Sequence, residues 1–294
     1  MSGANLRIVD TAELAWENGL EVVGRMAPAF RDNLGPRELV EDLFRRYDQK
    51  TLRHDAATTR RLDLVRVAPG YRDLTNAYHD SVEECLVLEG ALTLDGEGAF
   101  EAGDYFWRPP GYVHAAATEV GFTALLGFQG EDPGEGSGPT SRRIQPNELA
   151  GTNPLHPDNP EHAVGPRGWV RCQPVGLLPW LAGSVWSARR GDQAALWWDL
   201  GRVSVKVLSE NEDTGGQTLL VRLDRGWQAA PGHTPTDLEL YVLEGQLDVG
   251  ARACPEGIYV HAKQGASLPP LHSDGGALLY LRSDALLTVG DRRP

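Results

Sequence analysis

The chain is short of cysteine, of basic residues and of long apolar runs. Three cysteines, Cys85, Cys172 and Cys254, stand in 294 residues. Odd in number and far apart, they supply neither a disulfide framework nor a paired CxxC zinc site, which points to a reducing, cytoplasmic setting. Lys and Arg total 28 against 41 Asp and Glu, a formal net charge of -13. So acidic a chain is a poor match for phosphate backbones or anionic lipid, and neither nucleic acid nor a membrane is expected as a partner. No stretch nears the ~18 apolar residues of a membrane helix. Met1 to Asp10 also lacks the basic start and apolar core of a secretion signal.

Gly and Pro are plentiful, at 34 and 20 residues, and punctuate many short strands rather than long helices. With 41% hydrophobic residues the chain can bury a core. Helical periodicity is concentrated near the start. After Asn33-Leu34-Gly35-Pro36, the residues Leu39, Val40, Leu43, Phe44 and Tyr47 recur at steps of three and four, the apolar face of a short helix. From Leu62 the period becomes two. Strands are expected at Leu62–Val67, Glu84–Leu88, Ala91–Leu94, Tyr105–Arg108 and His114–Thr118, separated by Gly- and Pro-bearing turns that include Pro109-Pro110-Gly111. Gly130 to Gly168 has almost no apolar period and reads as linker. Strand-like sequence resumes at Ala195–Trp198 and Val203–Leu208.

An internal repeat is visible. Leu64–Tyr71 matches Leu220–Trp227 at an offset of 156, and Glu84–Gly90 matches Glu239–Gly245 at an offset of 155. Tyr71 and Trp227 hold equal places in the two copies and are expected to pack. Two copies of one β unit, joined by the linker, account for the pattern.

The chemistry concentrates in the first copy. Along a strand, side chains at even spacing share a face, so His79, Glu83, Cys85 and Val87 point the same way. His114 follows after the Pro-Pro-Gly turn. Two imidazoles and one carboxylate can occupy one side of a metal and leave positions open, a donor set suited to Fe(II) that would also accept Mn, Co, Ni or Zn. His79, Glu83 and His114 are therefore the candidate metal ligands. Cys85, Tyr105, Trp107 and Arg108 are candidate substrate contacts; Arg108 would clamp a substrate carboxylate or pair with one of the surplus acids. His54, His156 and His162 lie in polar or Pro-rich stretches, and Trp197-Trp198 reads as core or interface.

These residues resemble the cupin superfamily. The first cupin motif runs G-(five)-H-x-H-(three or four)-E-(six)-G. His79 stands at its second histidine, Glu83 follows after three residues and Gly90 after six more. The second motif, G-(five)-P-x-G-(two)-H, is matched by Gly103, Pro109, Gly111 and His114. The segment Glu83–Gly90 is similar to the branch that holds the sensor domains of anti-sigma factors and acetylacetone-type dioxygenases. Ala77 departs from the pattern, occupying the place of the first motif histidine.

The resemblance implies an all-β bicupin, two antiparallel jelly-roll barrels with a short N-terminal helical segment. The expected layout is a helical extension at 1–50, a metal-binding barrel at 51–130, a linker at 131–189 and a second, degenerate barrel at 190–294. In that second copy Thr234 falls at the His79 position, Leu238 at Glu83 and Leu268 at His114, while Lys263-Gln264-Gly265 replaces the Pro-x-Gly turn. His233, Glu239, His261 and His272 are left without a metal set. Cupins commonly associate edge to edge, so a homodimer is implied by analogy. The function implied is a metal-dependent dioxygenase acting on a small chelating substrate, an enol, diketone or carboxylate. A metal-dependent isomerase or lyase, or a non-catalytic sensor, are the alternatives.

Overall fold

The computed structural model describes residues 5–26, 28, 31, 34–55, 60–79, 81–94, 98–108, 114–130, 141–143, 172–173, 175–189, 200–210 and 215–285. The Pro109–Gly111 turn, His156, His162 and Trp197-Trp198 lie outside them. The chain forms two units: one is Ala15–Gly176, the other joins Met1–Leu14 to Leu177–Pro294. Every strand pairing is antiparallel, as the two-residue alternation and close-set turns require. No helix among the described residues is long and apolar enough to cross a membrane.

The first strand, β1 (Leu6–Asp10), belongs to the second unit. The first unit runs β2 (Glu17–Asn18), α1 (Gly19–Arg25), α2 (Arg37–Arg45), β3 (Tyr47–Asp55), β4 (Arg60–Val67), β5 (Tyr71–His79), β6 (Ser81–Leu94), β7 (Gly98–Glu101), β8 (Tyr105–Arg108), β9 (His114–Thr118), β10 (Phe122–Gly130), β11 (Ser141–Arg143) and β12 (Cys172–Gln173). Its main sheet has the order β11-β5-β9-β6-β10-β4-β3-β2, with β8 on β6 and β12 on β8. Val65, Cys85, Val87, Leu92, Leu94, Phe106 and Ala124 form its core.

The segment 1–50, expected as a helical extension, holds α1 and α2 and also β1, β2 and the start of β3. The Asn18 side chain caps α1 by accepting from the Leu20 amide at 3.1 Å. In α2 the apolar stripe buries Val40 and Leu43. Tyr47, read as part of that stripe, instead opens β3, where it pairs with Val67.

Glu84–Leu88 and Ala91–Leu94, read as two strands, are one bent strand, β6. Its Glu83–Leu86 half pairs with β8, and its Ala91–Leu94 half pairs with β7. Gly90 makes the bend at φ +73° without ending the strand, and the register with β10 shifts just before it, at Leu88. A Cβ on Gly90 would sit 2.1 Å from the Gly121 carbonyl oxygen. That close approach is why glycine stands here, seven positions after Glu83.

The second unit contains β13 (Leu181–Ala182), α3 (Gly183–Arg189), β14 (Val203–Glu210), β15 (Gly215–Leu223), β16 (Trp227–Ala229), β17 (Gly232–His233), β18 (Leu238–Val249), β19 (Arg252–Pro255), β20 (Ile258–Ala262), β21 (Ser267–Leu268), β22 (Leu271–Ser273) and β23 (Ala277–Ala285). Its sheet order is β1-β20-β18-β23-β15-β14-β13. The bend recurs: Gly245 has φ +75°, and a Cβ there would lie 2.3 Å from the Gly276 carbonyl oxygen. The expected all-β architecture of two barrels is thus present, each a curled antiparallel fold around its own hydrocarbon core.

The repeat reaches further than the strands that revealed it. Lys50 and Arg66 lie 4.5 and 4.4 Å from the Trp16 ring, and Lys206 and Arg222 lie 5.1 and 4.0 Å from the Trp180 ring. After each tryptophan come a two-residue strand and a seven-residue helix. The opening strands correspond as well. β1 pairs with β20 in the second unit, placing Ile8 opposite Val260, and β12 pairs with β8 in the first, placing Cys172 opposite Phe106. Each unit is therefore completed by a strand from the start of the other copy.

Candidate metal centre

Three strands bring His79, Glu83 and His114 together. His79 ends β5, Glu83 is the third residue of β6, and His114 opens β9. Strand parity turns Glu83 inward with Cys85, while pairing of β5 with β9 sets Ala77 opposite His114. One ligand atom from each of the three residues can be chosen so that all lie within 4.8 Å of one another. His79 Nε2 is 3.7 Å from Glu83 Oε1, and His114 Nε2 is 3.9 Å from Glu83 Oε2. The imidazole centroids are 5.1 Å apart, and Phe128 packs edge-on against His79 at 5.2 Å. Two imidazole nitrogens and one carboxylate oxygen, converging in a largely buried place, fit a divalent transition metal. It is the one such cluster among the described residues.

Arg108 stands opposite Glu83 in the β6–β8 register and gives it a 2.7 Å hydrogen bond from Nη1 to Oε2. Of the two roles open to Arg108, the ion pair is the one present in the structure. Its guanidinium also lies 4.2 Å from the Phe106 ring centre. Burial by itself would raise the Glu83 pKa. The charge of Arg108, then those of His114 and His79, and the Arg108 hydrogen bond outweigh it and hold the carboxyl at about 2. Glu83 is therefore an anion at neutral pH, as a metal ligand must be.

The four expected substrate contacts divide by strand parity. Cys85 and Arg108 line a cavity of about 200 Å³ that also contains His79, Glu83 and His114. Burial, then the charge of Glu83, push the Cys85 thiol up, so it stays protonated. Tyr105 and Trp107 are not in that lining. They sit on the opposite face of β8, where the Tyr105 hydroxyl donates to Glu84 Oε2 at 2.8 Å.

The same cavity has walls that the motifs did not indicate. Leu43 and Phe44 of α2 and Val22 of α1 close one side, and Tyr47, Arg61 and Asp63 come from β3 and β4. Tyr71, expected only to pack, lines it as well. An acid in the strand Leu62–Val67, on the same parity as Val65, was the available signal for Asp63.

In the second unit the corresponding places hold hydrocarbon. Leu238 and Leu268 are buried, and Ala262 occupies the position of Arg108. Thr234 donates its hydroxyl to the Lys263 carbonyl and accepts from the Ala266 amide at 3.1 Å. His261 lies 3.4 Å from Asp237 and His272 lies 2.9 Å from Asp248, while His233 is exposed.

Comparison with known proteins agrees with the duplicated fold. The family profile described as the ChrR cupin-like domain matches residues 42–129 and 191–286. Among solved structures, a putative dioxygenase from Nostoc punctiforme superposes with a TM-score of 0.71 at 20% identity, covering 99% of this chain and 88% of that one. Protein Ylba from E. coli gives a TM-score of 0.53 at 13% identity, with 99% and 93% covered. An oxalate decarboxylase from Lactobacillus farciminis gives 0.50 at 14% identity, with 83% and 82% covered. At these identities the likeness is one of fold. No protein with a curated description matches the chain in sequence.

Proposed function

The chain belongs to the ChrR cupin-like family, and from that premise we propose that its N-terminal barrel is the site of a metal-dependent enzyme, a non-heme Fe(II) dioxygenase acting on a small substrate that chelates the metal through enol, ketone or carboxylate oxygens. His79, Glu83 and His114 would hold the metal. The observation that carries the reading is that these three side chains meet beside a cavity of about 200 Å³. The likeness to the Nostoc punctiforme protein, a putative dioxygenase, supports the oxidative form of it.

A bound divalent metal supplies Lewis acidity to a chelating oxygen and, as iron(II), redox chemistry toward O₂. The chain's own residues do the rest. Arg108 keeps Glu83 ionised and presents positive charge on the side of the cavity where a substrate oxygen gains negative charge. Phe128 packs edge-on against the His79 ring. Leu43, Phe44 and Leu126 exclude water from the substrate. The Cys85 thiol remains protonated and fills space beside Glu83 without attacking the substrate.

Elemental analysis of protein purified without chelator tests the reading, followed by oxygen uptake with pentane-2,4-dione after anaerobic loading with Fe(II). About one metal per chain, lost in His114→Ala, and substrate-dependent oxygen consumption are expected. Protein that holds no metal, or that stays fully loaded after the substitution, overturns the site assignment. Tight diketone binding with no oxygen consumption would make the protein a sensor instead of an enzyme.

A further inference from the structure

The cavity has a second polar pole that the metal centre does not use. On β4, Arg61 and Asp63 face the interior beside Val65 and Val67. Register places Arg61 opposite Phe128 and Phe128 opposite Glu83; it likewise places Asp63 opposite Leu126 and Leu126 opposite Cys85. Two strand spacings of about 4.8 Å each therefore separate the two poles, with Phe128 and Leu126 as an apolar floor between them.

Arg61 Nε donates to Asp63 Oδ2. The Asp63 side chain is only 2% exposed, and its other oxygen, Oδ1, has no hydrogen-bond partner among the described residues. Buried carboxylate oxygens are nearly always satisfied, so an acceptor left open on a cavity-lining residue is matched by what the cavity receives. Arg61 and Asp63 offset one another, and Asp73 lines the same cavity. The missing group is then a hydrogen-bond donor, a hydroxyl or N–H. Tyr47 stands close by: burial, then the Asp63 charge, push its hydroxyl pKa up, so it remains protonated.

We propose that the substrate carries a hydroxyl or N–H donor at the end remote from its chelating oxygens, and that Asp63 accepts it. This rests on the metal-centre reading above and makes Asp63 the residue that selects among chelating substrates. The apolar floor between the poles calls for an unbranched hydrocarbon spacer.

The test is calorimetric binding to anaerobic Fe(II)-loaded protein. The probes are 5-hydroxy-2-oxopentanoate and 6-hydroxy-2-oxohexanoate, each measured against the partner lacking the terminal hydroxyl. At least one hydroxylated probe binds the wild type about tenfold more tightly than its partner. In Arg61→Leu/Asp63→Leu, which removes both charges together, that preference falls below about twofold while metal content is unchanged. Asp63→Asn, which keeps size and polarity, retains the fold and reduces the preference by at least about threefold. Loaded wild type that binds both members of each pair alike, or variants that keep the full preference, overturn this inference and leave the metal centre standing. Wild type that takes up no metal overturns both.

Discussion

Arg108 and His114 approach the same oxygen of Glu83: the guanidinium donates to Oε2 at 2.7 Å, and His114 Nε2 stands 3.9 Å from it. A metal drawing on that oxygen would share it with a fixed positive charge. The charge keeps the carboxylate ionised and would repel a cation bound beside it. On that reading Arg108 couples the stability of the metal-free barrel to its metal affinity.

Arg108→Met separates those two effects. Removing one partner of a buried ion pair costs about 3–5 kcal/mol, because the other charge is left uncompensated. Metal-free variant should lose stability on that scale in denaturant titrations with chelator present. Added divalent cation should restore more stability to the variant than it adds to wild type. Equal stability of the two chelated proteins would show that the pair contributes nothing.

The low pKa of Glu83 sets a pH window. Its ordinary value is 4.5 and its folded value is about 2. A depressed carboxylate stabilises the fold above its unfolded value, and the contribution is lost as pH falls from there through the folded value. With chelator present, the stability gap between wild type and Glu83→Gln should be full at about pH 6 and shrink between about pH 4.5 and pH 2. A gap independent of pH over that range would mean that Glu83 does not titrate as an ion-paired carboxylate.

Leu238 is 2% exposed at the place that Glu83 holds in the other copy. Leu238→Ala opens a cavity in a packed core, and about 2–5 kcal/mol should be lost from the second unit. The metal content of the chain should not change. A fall in metal content would mean that the second copy takes part in metal binding.

Deleting residues 1–14 removes β1, whose five residues pair with β20 and whose Leu6 and Ile8 pack on the second unit's core. Those two half-buried side chains are worth roughly 2–4 kcal/mol together, from ~1.5–3 kcal/mol for each fully buried one. The truncated chain should show a lower-melting transition, and a synthetic peptide of residues 1–14 should raise it again. A melt unchanged by the deletion would show that the β1 pairing is dispensable.

Much of the site was readable in the sequence because strand parity and motif spacing are local rules. Glu83 and Cys85 fall on one face of a strand whatever the rest of the barrel does, and Gly103 to His114 is a single short segment. The same rule also separates Tyr105 and Trp107 from Arg108, which lines the cavity. Gly90 read as a stop because glycine usually ends strands, whereas here it bends one beneath the Gly121 carbonyl.

Asp63 and β1 were not readable in this way. The sequence places Asp63 in a strand, but only pairing through Leu126 to Cys85 brings it into the cavity lined by His79, Glu83 and His114. Nothing near Leu6–Asp10 announces a partner some 250 residues later. By itself the sequence determined the period, the turns, the duplicated unit and the residue types able to grip a cation. Tertiary structure alone decided which strands became neighbours, which of two buried faces looks into the cavity, and which copy each opening strand completes. The physical reason is that alternation and turn chemistry act over a few residues, while strand pairing is settled by burial across the whole chain.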